Sequence, residues 1–252
     1  MKQTYFSTVF AAAIVWLGCM AAAAGADPST TQTAPTDKRQ TGEKAKDQLD
    51  EIIVTGSSGK ARVLETSYAA TVLDQADITR ANPVGLTELA NLIPGLQGEY
   101  ANGEVNSNLN VRGTQAGFMA FISLQEDGLP VQYSPFFAEY EIRNDLTYDH
   151  VEAVLGGPSG IFTAQGAAAT LNFISRKPHQ VEGEARQSIT DYGQLRTDLF
   201  YGGPIGNDGW YGSVGGFYRR GDDPRSLDFT AANGGQLRAR IGKDFDRGGF
   251  SI

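Results

Sequence analysis

The sequence predicts a small α+β domain over 61–178, followed by antiparallel β strands that run to Ile252. Three observations predict it. Glycine (31 residues) outnumbers proline (10) threefold, which favours turn-rich β structure over a proline-rich disordered chain. Between residues 61 and 178, short strand-like runs surround one segment with helical spacing. After Pro178, apolar residues recur at every second position in segments separated by Gly-, Asn- and Asp-rich turns.

The chain opens with Met1-Lys2, an apolar run from Val9 to Met20, and the small-x-small triplet Ala24-Gly25-Ala26. This is the pattern of a secretory signal peptide, assigned to 1–26 and set apart from the fold. The run is shorter than the ~20 apolar residues a spanning helix needs. Leu17-Gly18-Cys19 would suit a lipoprotein site, but Trp16 stands where an aliphatic residue is wanted. Cys19 is the only cysteine and leaves with the leader, so the mature chain is expected to have no disulfide and no thiol chemistry. Loss of Lys2 takes the formal net charge of −8 one unit lower. An acidic exported chain without a basic cluster is a poor nucleic-acid binder.

Residues 27–49 are Thr, Gln, Pro, Lys and Asp with almost nothing apolar, and are expected to be disordered. Asp50-Glu51-Ile52-Ile53-Val54-Thr55-Gly56 then carries four β-branched residues in a row, with a Gly/Ser linker over 57–60 behind it. A strand is expected here, held between two tethers. Tyr68 to Leu73 alternates weakly as a strand, and Asn82-Pro83 is a helix-breaking pair. Leu86, Leu89, Ala90 and Ile93 have the spacing of a short helix, ended by Pro94-Gly95. Asn108 to Gly113 reads as a strand. So do Phe118 to Leu124, turning at Asp127-Gly128 into Leu129-Pro130-Val131, then Val151 to Leu155, and finally Thr170 to Ser175.

Beyond Pro178, Leu195, Leu199 and Tyr201 alternate with Arg196 and Asp198, and Leu237, Ala239 and Ile241 alternate with Arg238 and Arg240. Segments of about ten residues with one apolar and one polar face fit a membrane β-barrel. They equally fit a soluble sheet with one wet face, and the arginines of the polar face suit both.

In order, the chain shows a leader, an EIIVTG box, LIPGL, NLNVRG, DGLPV, VEAVLGGPSGIF and NFISRKP. This series resembles the N-terminal half of TonB-dependent outer-membrane receptors over Asp50 to Pro178, and more loosely beyond. The resemblance implies an α+β plug domain (61–178) followed by the first antiparallel strands of a transmembrane β-barrel (179–252), incomplete in this chain. It implies a Gram-negative cell outer-membrane location with the box facing the periplasm. It also implies energised uptake of a scarce ligand such as a ferric siderophore, cobalamin, haem or a glycan, with no bond in the cargo made or broken. The implied partners are TonB with its inner-membrane energising complex, the outer membrane, and a small-molecule or metal-chelate ligand. No nucleic acid, cofactor, resident metal or enzymatic activity is implied.

By resemblance Glu51, Ile52, Ile53, Val54, Thr55 and Gly56 form the TonB box, which pairs with TonB by adding a strand. Flexible flanks are expected to leave it unpaired until that partner arrives. The alternative is an ordinary first strand of the plug. The plug motifs place Pro94, Gly95, Arg112, Gly113, Asp127, Gly128, Pro130, Glu152, Gly157, Pro158, Ser159 and Gly166 in structural roles. Gly156 stands where the family usually has Arg, and Ala168-Ala169 where it usually has Gly-Gly, so that turn is expected to differ locally. In the family the counterpart of Arg112 tends to be buried in plug–barrel polar contacts. Plain packing support is the reading preferred for Arg112; the alternative is a buried guanidinium, whose five donors would need partners such as Glu152 and Glu141. Tyr133 and Tyr140 are ligand candidates in an aromatic loop, whereas Phe136 and Phe137 read as core or wall contacts.

Enzyme signatures fail in detail. Gly157-Pro158-Ser159-Gly160-Ile161 lacks the last Gly of a nucleophile elbow. Gly59-Lys60 is flanked by Val54 and Ala61 where a phosphate loop needs Gly and Ser/Thr. His150 and His179 lack ligand spacing, and Asp191 and Asp222-Asp223 are acidic turns like any other. From Pro178 on there is room for about five strands of barrel length, too few to close a barrel of about 22. The expectation is therefore the front of a larger receptor. A truncated gene, or a short periplasmic plug-like module that binds TonB or ligand without transport, are the alternatives.

Overall fold

Runs of β-branched and apolar residues build two separate sheets of five strands, the first buried on both faces and the second on one. The computed structural model describes residues 52–53, 55, 61–83, 85–100, 107–115, 121–131, 142–157, 166–191, 193–221 and 233–252. Ile52–Ile53 (β1) pairs antiparallel with Ala61–Arg62 (β2), and a 3₁₀ turn follows at Val63–Glu65. Ala69–Asp74 (β3) runs into helix Gln75–Ala81 (α1), where Asp74 Oδ1 accepts from the Asp77 amide at 2.6 Å as an N-cap. Asn82 ends α1 at φ 47°, one of the few side chains that tolerate the left-handed region. Helix Leu86–Ala90 (α2) closes with amides of Leu92 and Ile93 on the Leu89 and Ala90 carbonyls.

Leu96–Tyr100 (β4), Ser107–Val111 (β5) and Thr114–Gln115 (β6) form a three-stranded sheet. Ile122–Glu126 (β7) and Leu129–Pro130 (β8) form a hairpin whose turn residues, Asp127 and Gly128, both have positive φ, at 50° and 84°. That is the type I′ geometry, which matches strand twist. Tyr148–Leu155 (β9) and Ala169–Ser175 (β10) complete a sheet in the order β3-β9-β10-β7-β8, with β10 parallel to β7. On one face Leu73, Val151, Leu155, Leu171 and Phe173 join Ile78, Leu89 and Ile93 in the core. The other face buries polar groups: Ser123, Gln125, Glu152, Thr170 and Asn172.

The remaining strands are Glu182–Ile189 (β11), Leu195–Ile205 (β12), Trp210–Arg220 (β13), Gly234–Phe245 (β14) and Gly248–Ser251 (β15), an antiparallel meander called the wall below. Turns 206–209 and 246–247 at one end are shorter than the connections 190–194 and 221–233 at the other. Leu199 and Leu237 are 57% and 80% exposed, whereas Arg196 and Asp198 are 7% and 0% exposed. The apolar face is therefore outward and the charged face inward, the reverse of a water-soluble sheet. This separates the two patterns that alternation alone left open. Trp210, Phe245 and Phe250 cluster beside the short turns, with Trp210 edge-on to Phe250 at 5.7 Å, as aromatics at a membrane boundary do.

Several expectations change. Strands β4 and β11 carry no clear alternation in sequence. The box segment is not left unpaired, because β1 is hydrogen-bonded to β2 and Ile53 is fully buried. The strand expected from Phe118 is described only from Ile122, since 116–120 lie outside the described residues. The 27–49 tether and the Gly/Ser linker at 57–60 also lie outside them.

Candidate functional site

The polar face of the first sheet holds Thr55, just after β1, in a set of contacts called the latch below. Alternation puts Glu152 of β9 and Asn172 of β10 side by side on that face, paired in register. The Thr55 amide donates to Glu152 Oε2 at 2.8 Å, and the Thr55 hydroxyl donates to the same oxygen. Asn172 Nδ2 donates to Thr55 Oγ1 at 2.9 Å, and the Tyr68 hydroxyl donates to the Thr55 carbonyl at 3.4 Å. Every polar group of Thr55 is thus engaged, and two of the contacts go to a carboxylate buried to 1% exposure. Hydrogen bonds to a charged acceptor contribute about 1.5–3 kcal/mol each. Full burial of a side chain such as Ile53 adds about 1.5–3 kcal/mol.

His150 supports the carboxylate. Its Nε2 lies 3.4 Å from Glu152 Oε1, and its Nδ1 lies 2.7 Å from Asp149 Oδ2. Burial alone would lower the imidazole pKa, but hydrogen bonds and charge from Asp149 and Glu152 prevail and lift it to about 9. The hydrogen bond from His150 in turn holds the Asp149 carboxyl below its ordinary value, against burial.

A second cluster joins the domain to the wall. Arg238 donates to Glu126 Oε1 at 2.6 Å and lies 3.6 Å from Asp145 Oδ2. Arg240 donates to Asp127, and Arg196 donates to the Asn144 carbonyl at 2.5 Å while bonding Asp198. Asp145 is fully buried, and burial raises its carboxyl above the usual range despite the Thr147, Arg238 and Arg196 contacts. Gly215 lets this contact form, because a Cβ there would stand 2.8 Å from Thr147 Cγ2. A cavity of about 330 Å³ remains between the sheets, lined in part by Glu126, Thr147, Ser175, Arg238 and Arg240.

The expected residues fall out as follows. Ile52, Ile53 and Thr55 lie on the latch strand or beside it; Glu51, Val54 and Gly56 lie outside the described residues. Pro94 is exposed, and Gly95 at φ 89° accepts from the Arg112 amide at 2.8 Å. Arg112 is exposed, takes φ 50° beside Gly113 at φ 79°, and donates to the Leu155 carbonyl at 3.3 Å, a local structural contact and not a buried ion pair. Its turn aims it along the strand end, while Glu152 two pairs away faces Thr55. Glu141 lies outside the described residues. Gly156 and Gly157 take φ 67° and 59°, so this turn places its left-handed residues ahead of Ala168-Ala169, which keep ordinary backbone. Gly166 is buried, and Pro130 sits on edge strand β8, where no ladder donor is needed. Pro158, Ser159, Tyr133 and Tyr140 lie outside the described residues, as do Phe136 and Phe137.

Thr55, Glu152, Asp127 and Gly128 come together; Arg112 stays apart. Sequence reasoning missed Asn172, His150, Glu126, Asp145 and the individual wall arginines. The alternation of β14 was the available signal for Arg238 and Arg240. No group of acidic, His or Cys side chains with metal-site geometry occurs among the described residues. No described helix is long and apolar enough to cross a membrane.

Residues 62–170 match the family profile described as TonB-dependent Receptor Plug Domain. The chain carries a TonB-dependent receptor plug domain, and the antiparallel strands behind it match part of such a receptor's barrel. The pyoverdine outer-membrane receptor FpvA of Pseudomonas aeruginosa PAO1 is similar at 18% identity and TM-score 0.63, over 79% of this chain and 28% of that one. The alcaligin outer-membrane receptor FauA of Bordetella pertussis gives 19% identity and TM-score 0.57, over 77% and 32%. The ferric yersiniabactin uptake receptor FyuA of Yersinia pestis gives 21% and 0.53, over 70% and 28%. At these identities the likeness is one of fold, and the match spans only about a third or less of each receptor's length. None of the curated proteins matches the chain in sequence.

Proposed function

We propose that this plug and wall serve a TonB-dependent outer-membrane receptor that imports a scarce ligand with energy delivered through TonB. The ligand class is a ferric siderophore, cobalamin, haem or a glycan, with ferric chelates favoured by the cargo of the structurally similar receptors. Residues 51–56 are the TonB box, facing the periplasm, and 1–26 is the export signal. The protein moves its cargo and does no covalent chemistry on it.

The observation that carries this reading is the wall that follows the plug domain. Its apolar side chains face outward and its arginines face inward onto plug carboxylates. An outward face of Ile189, Leu199, Tyr201 and Leu237 suits lipid, and it disfavours a soluble periplasmic module. The box reading is supported by β1, an extended segment already able to pair at a strand edge.

The test is binding of the periplasmic C-terminal domain of TonB to the receptor with and without Ile53→Pro. Proline removes a ladder donor. Strand addition predicts loss of at least tenfold in affinity, and unchanged affinity would contradict it.

A further inference from the structure

Two clusters that look separate are joined by one side chain. Asn172 Nδ2 donates to Thr55 Oγ1 at 2.9 Å, and Asn172 Oδ1 accepts from the Gly128 amide at 2.9 Å. Gly128 is the second residue of the β7–β8 turn, and Asp127 is the first. The Asp127 carboxylate accepts from the Ser175 amide at 3.0 Å and from the Ser175 hydroxyl at 2.8 Å. The same carboxylate takes Arg240 from the wall, whose guanidinium also reaches Ser251 at 2.8 Å. A continuous path therefore runs Arg240–Asp127–Gly128–Asn172–Thr55–Glu152, by hydrogen bonds at every step but the peptide link between Asp127 and Gly128. It links the barrel-type wall to the box strand straight through the central sheet.

We propose that Asn172 is a positioning residue that couples the box latch to the plug–wall seal. The inference rests on the reading of residues 51–56 as the TonB box. Continuity in space is not by itself coupling, and a two-state element is needed. Thr55 supplies one: it is bonded to Glu152 and Asn172 here and is drawn away when the box pairs with TonB. The Asp127–Gly128 pair is a favoured type I′ turn, and its contacts decide where it holds the Asp127 carboxylate. Here Ser175 and Arg240 hold one end and Asn172 holds the other. When Thr55 is drawn out of the latch, Asn172 loses its acceptor in a buried site and a donor is left unsatisfied. Rotation of the amide to find a new partner releases Gly128 and loosens the turn that presents Asp127 to Arg240. Linkage is reciprocal, so opening the Arg240 seal must also loosen the box.

The chain offers a clean probe, since its one cysteine, Cys19, lies in the leader. In the full-length protein in outer-membrane vesicles, without TonB, Ile53→Cys reports latch opening by its rate of maleimide labelling. Arg240→Gln, made in the wall, should raise that rate about tenfold, the population change that loss of one buried hydrogen bond produces. Asn172→Asp should raise it as much, because it keeps the acceptor for Gly128 but removes the donor to Thr55. With Asn172→Asp already present, Arg240→Gln should add less than twofold. Full additivity of the two, or no response to Arg240→Gln, would overturn the coupling. Asp127→Asn serves as a second seal variant, and trypsin resistance of the plug shows whether it stays folded. If Arg240→Gln unfolds the plug, the same twofold limit on Asp127→Asn in the Asn172→Asp background decides the matter. No arm uses TonB, so a failure here differs from failure of the box reading, which the Ile53→Pro binding test reports.

Discussion

The plug sheet and the wall are both written with a two-residue period, yet the plug sheet buries both its faces, one apolar and one polar, whereas the wall buries its charged face and leaves the apolar one out. In β10, Leu171 and Phe173 are in the core beside Tyr148, whose ring lies 5.2 Å from that of Phe173. In β12, Leu195, Leu199 and Tyr201 are out, and Arg196 and Asp198 are in. Periodicity fixes which residues share a face and says nothing about which solvent that face meets. The sign of the burial comes from the partner: helices cover the apolar face of the plug, whereas the plug covers the charged face of the wall.

The difference can be broken from either side. The largest effect is expected at the inner face, where Arg196→Met takes the bidentate partner from buried Asp198 and leaves it Arg186 at 3.3 Å. Removing one member of a buried pair costs about 3–5 kcal/mol, and the Arg186 contact puts this loss at the lower end, read as a lower denaturation midpoint of the folded receptor. On the outer face, Leu237→Arg should cost about 2–4 kcal/mol in a bilayer if it sits near the midplane, because lipid cannot solvate the charge. In detergent micelles the same change should cost much less. Equal penalties in both media would mean that Leu237 does not face lipid.

The latch supplies a smaller, pH-dependent effect. The folded pKa of His150, about 9, lies above its ordinary value of 6.5. Its contribution to holding Glu152, and through it Thr55, is therefore fully present below about pH 6.5 and is lost as pH rises through about 9. Labelling of Ile53→Cys, divided at each pH by the rate of a fully exposed cysteine to remove thiol ionisation, should accelerate across that window, and His150→Gln should flatten the corrected profile. A profile unchanged by His150→Gln would assign the pH response elsewhere.

Much of the fold was legible because its signals are local. Asp127-Gly128 marked the hairpin and the β14 alternation the two faces of the wall, whereas Asn82-Pro83 marked a break without revealing helix α1 ahead of it. β11 was not legible because Gly183 and Ala185 give its outer face little apolar character, and its pairing with β12 defines it as a strand. The box was legible as a strand by its β-branched run, but not as a latched one. Thr55 meets Asn172 across 117 residues, and Gly128 meets it across 44. Such meetings depend on sheet order, with β10 parallel to β7, which no local pattern encodes. The contact of Arg112 depends on such placement too: a left-handed turn points it at the Leu155 carbonyl, 43 residues away. The plug–wall ion pairs set cations of the wall against carboxylates of the plug, a pairing that no local pattern announces.

The most direct test of the central claim is a nitroxide scan of residues 236–241 in the receptor reconstituted in bilayers, read by collision with oxygen and with a water-soluble nickel chelate. The account predicts oxygen-dominated collisions at 237, 239 and 241, and low accessibility to both reagents at 236, 238 and 240. Nickel-dominated collisions at 237, 239 and 241 would place that face in water and contradict the reading of the wall as a membrane barrel surface.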